Sequence, residues 1–155
     1  MNKPSIHANC VIVGTRGLLI RGEAGSGKSE LTDTLLHHAR ERGHLGRLVA
    51  DDRVVLTSCD DRVLAHVPDT ISGQLEVRGH AIVDLPYAPL ARLHLIVDLV
   101  SAEQIDRLPE NPISQERLEG VSLPRIVCPR NDTVTAVRLL RWSLRKLFKG
   151  SPDYI

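Results

Sequence analysis

Residues Gly22-Glu23-Ala24-Gly25-Ser26-Gly27-Lys28-Ser29 fit the pattern Gly, four residues of any type, Gly-Lys-Ser/Thr at every fixed position. Glycine-rich backbone of this length can turn its N–H groups inward around a phosphate chain, and the helix that follows adds a favourable dipole. Lys28 supplies a point charge for terminal phosphates, and the Ser29 hydroxyl is a candidate ligand for Mg²⁺. The apolar run Leu18-Leu19-Ile20 before the loop reads as a strand, and Glu30 to Arg42 after it as a helix. That strand–loop–helix context separates a P-loop from an ordinary glycine turn. The expectation is therefore binding of a nucleoside triphosphate or of pyrophosphate.

Phosphoryl transfer needs more than grip: it needs a divalent cation, a handler for the nucleophile's proton, and positive charge near the transferring group. Asp51-Asp52 follows the short apolar run Leu48-Val49-Ala50, and acids at a strand end recur at ligand crevices of α/β folds. Adjacent strand residues point to opposite faces, so one of the two faces the phosphates unless the strand has ended. Arg107, before a proline-containing stretch, is either a solvated loop residue or a mobile cation able to close over a γ-phosphate. Glu76, between Leu75 and Val77, reads from alternation alone as a solvent-facing strand residue. His7, one of seven histidines, carries no signal of its own.

The elements that would position these groups follow from periodicity. Ala8 to Val13 predicts a strand, Gly14 to Gly17 a turn, and Leu18 to Ile20 the returning strand of a hairpin. Leu31, Leu35, Leu36 and Ala39 share one helix face, with Gly43 as the stop. Val54 to Leu56 and Val63 to Val67 flank the turn Ser58 to Asp61. Leu75 to Val77 and Ala81 to Val83 flank Gly79, and Leu93 to Val97 is a buried strand ending at Asp98. Residues 108–124, with Pro109, Pro112 and Pro124, read as a mobile loop. A last helix starts near Asp132 or Thr133, with Val134, Val137, Leu140, Leu144 and Leu147 on one face and Arg138, Arg141, Arg145, Lys146 and Lys149 over the rest. Many hairpins and only two clear helices point to an α/β protein with a mixed, partly antiparallel sheet rather than a plain βαβ array.

At 155 residues the chain is expected to form one domain over residues 1–155. A net charge of +1 gives no field that would select nucleic acid or a membrane, and 3% aromatic residues leave few platforms for stacking bases. Cys10, Cys59 and Cys128 are odd in number and far apart, which argues against a disulfide framework. The N-terminal stretch Met1 to His7 has no apolar core of a leader, and no run reaches membrane-span length. The expected compartment is the cytoplasm.

Taken in order, Ile6-His7-Ala8-Asn9-Cys10-Val11, the stretch Arg16 to Leu31, Val49-Ala50-Asp51-Asp52-Arg53, Leu75-Glu76-Val77-Arg78-Gly79 and Asp106-Arg107-Leu108 resemble the catalytic domain of the HPr kinase/phosphorylase family. The likeness covers most of the chain, which resembles the short, alphaproteobacterial forms that correspond to the C-terminal catalytic domain alone. The resemblance implies phosphorylation of a serine on HPr, the small carrier protein of the phosphotransferase system, with ATP as donor, and phosphorolysis by inorganic phosphate to pyrophosphate as the reverse. It also implies that Lys28 holds phosphates, that Ser29 and Glu76 bind Mg²⁺, and that Asp52, or else Asp51, handles the serine proton. Arg107 would stabilise the transferring group, His7 would share the site, and the assembly would be a hexamer. The basic face of the last helix is then a candidate contact for an acidic patch on the partner. A small-molecule kinase on the same fold, or a nucleotide-sensing module without transfer, stays open beside this reading.

Overall fold

The computed structural model describes residues 4–68 and 72–155. Met1 to Lys3, part of the polar N-terminal stretch, lie outside them. Ten strands and two α-helices are present among the described residues: β1 (Ser5–Val13), β2 (Arg16–Arg21), α1 (Lys28–Glu41), β3 (Gly46–Ala50), β4 (Arg53–Cys59), β5 (Arg62–His66), β6 (Gln74–Val77), β7 (Ala81–Asp84), β8 (Leu90–Val100), β9 (Ser114–Leu118), β10 (Val121–Pro129) and α2 (Thr133–Leu147), with a short 3-10 turn at Ala102–Gln104.

The sheet is mixed, as the abundance of hairpins predicts. β1 pairs antiparallel with β2, β3 and β4, β4 with β5, and β5 with the start of β8. The second half of β8 runs parallel to β2 on one side and to β10 on the other. The pairings β1–β4–β5–β8–β2–β1 therefore close a ring. Two long strands make this possible: β1 changes partner from β4 to β3 along its length, with a register shift between Cys10 and Val11, and β8 passes from β5 to β2 and β10.

Alternation along the ring strands separates two apolar cores. Ala8, Cys10, Leu19, Val54, Leu56, Val63, Ala65, Leu93 and Ile96 pack together on one side of the ring strands. Val11, Val13, Leu18, Ile20, Leu95 and Val97 face the other way, where Leu31, Leu35, Leu36 and Ala39 of α1 and Val137, Leu140 and Leu144 of α2 cover them. Burial of a Leu side chain contributes about 1.5–3 kcal/mol, so these two helix stripes hold α1 and α2 against the sheet. Tyr154 and Ile155 join the helix-side core, and the Tyr154 hydroxyl shares a 3.0 Å hydrogen bond with Thr15 Oγ1 in the β1–β2 turn.

Two expectations are corrected. Residues 108–124 are not one mobile loop: β9 and the start of β10 form an antiparallel hairpin there, with Val121 opposite Leu118 and Pro124 opposite Gln115. Pro124 donates no ladder hydrogen bond, but it precedes Arg125, where the pairing of β10 with β8 begins, so at this point β10 has β9 alone as partner and proline is tolerated as at an edge. Asp98 does not end its strand either. It lies within β8, where burial favours the neutral carboxyl but hydrogen bonds from Arg21 and Arg125 outweigh that and hold it below the usual carboxylate range. Arg21 Nε reaches Asp98 Oδ1 at 2.7 Å and Arg21 Nη1 reaches Glu116 Oε2 at 2.7 Å, while Arg125 Nε reaches Asp98 Oδ2 at 2.6 Å. This network ties β2, β8, β9 and β10 together at Arg21, the last residue of β2 and the one just before Gly22.

Candidate active site

The loop Gly22–Gly27 leaves β2 on the side of the sheet where the parallel strands β2, β8 and β10 end, the usual crevice of α/β folds. Gly25 and Gly27 adopt φ of 79° and 93°, which an L side chain rarely takes, and Gly27 also lies against Asn131, where a Cβ would meet Asn131 Oδ1 at 3.3 Å. The Ser26 N–H bonds Glu23 O, and the Asn131 N–H bonds Ser26 O, so the loop is braced from within and from the β10–α2 turn. No side chain caps the start of α1, which leaves its first N–H groups directed out of the helix beside the loop. Lys28 is only 7% exposed, and its Nζ donates to Gly22 O at 2.9 Å and Glu23 O at 3.2 Å. Burial pushes its pKa down, against the opposing pull of Asp52 and Asp51. An anion in the loop would relieve that penalty.

Across the loop, β3 stops at Ala50, and the chain turns sharply. The Arg53 N–H bonds Asp51 O at 2.9 Å around Asp52, whose φ is 70°. A hydrogen bond spanning one residue with positive φ is a γ-turn of the strained kind. Because the strand has ended, strand alternation no longer separates the two acids. The Ser29 hydroxyl donates to Asp51 Oδ1 at 2.8 Å, and the Glu76 N–H donates to Asp51 Oδ2 at 3.2 Å. Asp52 turns outward, with its side chain 62% exposed, and pairs with His7 Nε2 at 2.5 Å.

These residues enclose a cleft of about 220 Å³, lined by His7, Lys28, Ser29, Asp52 and Glu76 with Gly25, Gly27 and Arg78. Glu76 arrives on the β6–β7 hairpin, which is anchored by buried Leu75 and by the N–H bond to Asp51. Among the described residues no three His, Cys, Asp or Glu side chains converge as a metal cluster. The oxygen donors available (the Ser29 hydroxyl with a free lone pair, and the carboxylates of Asp51 and Glu76) fit Mg²⁺, which takes one or two protein oxygens and completes its shell with water and phosphate.

A profile of the family described as "HPr Serine kinase C-terminal domain" matches residues 1–143. The chain belongs to this family. Proteins named HPr kinase/phosphorylase are similar to it: that of Limosilactobacillus reuteri is 34% identical over 138 residues, 82% of this chain and 41% of its own length. That of Bordetella pertussis is 34% identical over 158 residues, 92% of this chain and 49% of its own. The chain thus spans about half the length of the curated relatives it matches. The solved structure of the Hpr(Ser) kinase/phosphatase from Coxiella burnetii superposes with a TM-score of 0.76 at 30% identity, covering 93% of this chain and 98% of that one.

Most of the residues expected from the family resemblance come together, since His7, Lys28, Ser29, Asp52 and Glu76 line one cleft and Asp51 holds Ser29 from the side. Arg107 does not line it. It is exposed on segment 102–113 and lines a larger groove of about 890 Å³ against α2, with Arg138, Trp142 and Lys146. Four residues of the cleft escaped the sequence reading: Asn9, Glu30, Arg78 and Asn131. One signal existed for Asn9, a polar residue inside the apolar stretch Ala8 to Val13. Asn131 is brought in by the β10–α2 turn, which local sequence does not reveal.

Proposed function

We propose that the chain is a Mg²⁺-dependent protein-serine kinase that moves the γ-phosphoryl group of ATP to a serine of HPr or a close phosphocarrier relative, with phosphorolysis to pyrophosphate as the reverse. The observation that carries this reading is the single cleft holding Lys28, Ser29, Asp52 and Glu76 beside an uncapped helix start. Gly22 to Ser29 act as a P-loop, with backbone N–H groups around the phosphates and Lys28 exchanging its two loop carbonyls for phosphate oxygens. Ser29 and Glu76, supported by Asp51, hold the metal. Mg²⁺, when bound, neutralises the charge shared by the β- and γ-phosphates.

Asp52 accepts the proton of the attacking serine. It is the exposed acid of the pair, whereas Asp51 already accepts bonds from Ser29 and from the Glu76 N–H. His7 orients the Asp52 carboxylate. In the reverse direction inorganic phosphate attacks the phosphoserine phosphorus to form pyrophosphate, and the protonated Asp52 returns its proton to the serine oxygen as that oxygen leaves, so one carboxylate serves both directions. Arg107 lies on the other groove, so its action on the transferring group requires that segment 102–113 close over the loop or that a neighbouring copy in a hexamer present it. We place the protein in the cytoplasm with HPr.

The test is incubation with Mg·ATP and purified HPr, followed by mass spectrometry of HPr. One phosphoryl group on a serine is expected, removed again on adding inorganic phosphate. ATP bound while HPr stays unmodified would overturn the HPr reading and direct attention to a small-molecule acceptor.

A further inference from the structure

Asn9 lies on β1 with 0% exposure, yet its side chain is polar and forms part of the cleft floor. Its Nδ2 donates to Asp51 Oδ1 at 2.9 Å and to Thr32 Oγ1 at 3.0 Å, and stands 3.4 Å from Ser29 Oγ. Its Oδ1 accepts the Asp52 N–H at 2.9 Å. That last bond fixes which end of the amide is oxygen, because only a carbonyl can accept it. Thr32 in turn donates to Lys28 O at 2.8 Å. One buried amide thus joins the first turns of α1, the Asp51 carboxylate and the backbone of the Asp52 turn.

The consequences for the two acids differ. Asp51 Oδ1 receives Asn9 and Ser29, and Oδ2 receives the Glu76 N–H, so this carboxylate is held in place beside Ser29. The Asp52 turn is held through its backbone, the N–H by Asn9 and the carbonyl by the Ala8 N–H at 3.1 Å, while the carboxylate pairs with His7. A non-glycine residue at φ 70° persists only where its surroundings over-determine it, and these two bonds do so. Its side chain, exposed and paired with His7 through one oxygen, lines the cleft.

We infer that Asn9 is a positioning residue for phosphoryl transfer, setting the Asp51 carboxylate against Ser29 on the metal side and fixing the Asp52 turn on the acceptor side. This rests on the kinase reading above. It acts through other residues and touches no reacting atom. Partners that orient metal ligands change metal affinity or activity by about 10- to 100-fold when removed.

The test measures ATP binding by titration calorimetry with and without Mg²⁺, and transfer kinetics, on the full chain and on Asn9→Ala and Asn9→Ser. The inference expects the Mg²⁺ concentration that half-saturates the ATP complex to rise about tenfold in Asn9→Ala, and kcat to fall about tenfold. Metal-free ATP affinity should stay within about twofold, and Asn9→Ser, which keeps one donor and acceptor, should lie between. A lower melting temperature with Mg²⁺ dependence and kcat both unchanged would make Asn9 a packing residue only and overturn the inference. Should both variants fail to fold, the unaltered chain decides: the Asn9 side-chain amide resonances should shift when Mg²⁺ joins the ATP complex, and unmoved resonances overturn the inference. The binding readout needs no phosphoacceptor. Tight Mg·ATP binding without transfer to HPr sinks the kinase reading alone, while a chain that binds no ATP sinks both.

Discussion

The Ser29 hydroxyl donates to Asp51 Oδ1 across 2.8 Å, joining the first turn of α1 to the end of β3. With its proton donated to Asp51, the Ser29 oxygen lines the cleft with acceptor capacity left for a cation. Strand, loop and helix are thereby set in one frame before any ligand arrives.

Removing that hydroxyl therefore separates grip from metal use. Ser29→Ala should raise the Mg²⁺ concentration needed for ATP binding by about tenfold, since outer partners and ligands act on metal affinity at that scale. Loss of the bond should cost about 1 kcal/mol of stability. Calorimetric titration at several Mg²⁺ concentrations checks the first figure and urea unfolding the second. An unchanged Mg²⁺ requirement would remove Ser29 from the metal site.

Asp52 is placed for chemistry at the expense of backbone comfort. Asp52→Asn should reduce kcat by about 10²- to 10⁴-fold, the usual span for a general base. Its pair with His7 is solvent-exposed, with side chains 40% and 62% accessible, so unfolding free energy should move by less than about 1 kcal/mol. Asp52→Gly should be inactive and more stable than Asp52→Asn, because glycine takes φ 70° without penalty. Single-turnover kinetics and denaturant curves on the two variants read these effects. A fully active Asp52→Asn would hand the proton to another group.

Acid should destabilise the fold through His94. Burial, with Arg16 and Arg92 nearby, pushes its pKa down from 6.5 to about 4, and its Nδ1 accepts the Gly17 N–H at 3.0 Å. The folded-state value lies below the unfolded one, so the neutral ring's contribution is complete above pH 6.5 and is lost as pH falls from 6.5 through about 4. Urea midpoints measured from pH 8 down to pH 4 should fall over that window, and His94→Gln, which keeps an acceptor but does not titrate, should flatten the fall. An identical pH dependence in His94→Gln would show that other groups govern it.

Protein docking and nucleotide binding should be separable on α2. Arg145 is committed to Asp153, with its Nη2 at 2.6 Å from Oδ2, and stacks on Trp142. Arg138 and Lys146 are exposed, line the groove with Trp142 and, among the described residues, form no ion pair of that kind, which makes them the better contacts for an acidic carrier. Charge reversal at both should raise the KM for HPr by about tenfold, in line with about 1–2 kcal/mol of lost interfacial attraction, and leave ATP affinity unchanged. Steady-state kinetics with varied HPr tests this, and a normal KM would remove α2 from the docking surface.

How much of this was legible in the sequence depends on whether the signal was local. The glycine loop, the apolar stripe of α1 and the hairpin turns at Ser58 to Asp61 and at Gly79 are short-range patterns, and each element lies where its pattern predicts. The β9–β10 hairpin was missed because Pro124 read as a breaker, whereas it lies before β10 begins to pair with β8, with β9 as its one strand partner, and proline is tolerated there. Asp98 read as a strand end because a charge inside a buried strand is unfavourable alone. Arg21 and Arg125, distant in sequence, supply the compensation. Asp51 and Asp52 could not be told apart from alternation. The γ-turn that separates their roles depends on Asn9 and Ala8, more than forty residues away. Arg107 was legible as a loop cation, but only the folded chain places it on the groove beside α2.

The measurement that tests the account most directly is transfer of the γ-labelled phosphoryl group from ATP to purified HPr with Mg²⁺, run side by side with Lys28→Ala and Asp52→Asn. The account predicts labelled phosphoserine with the unaltered chain, no label with Lys28→Ala for want of phosphate grip, and a trace with Asp52→Asn despite retained ATP binding. Label of equal intensity in all three would contradict the assignment of the cleft, and no label with the unaltered chain under conditions where it binds Mg·ATP would contradict HPr as the acceptor.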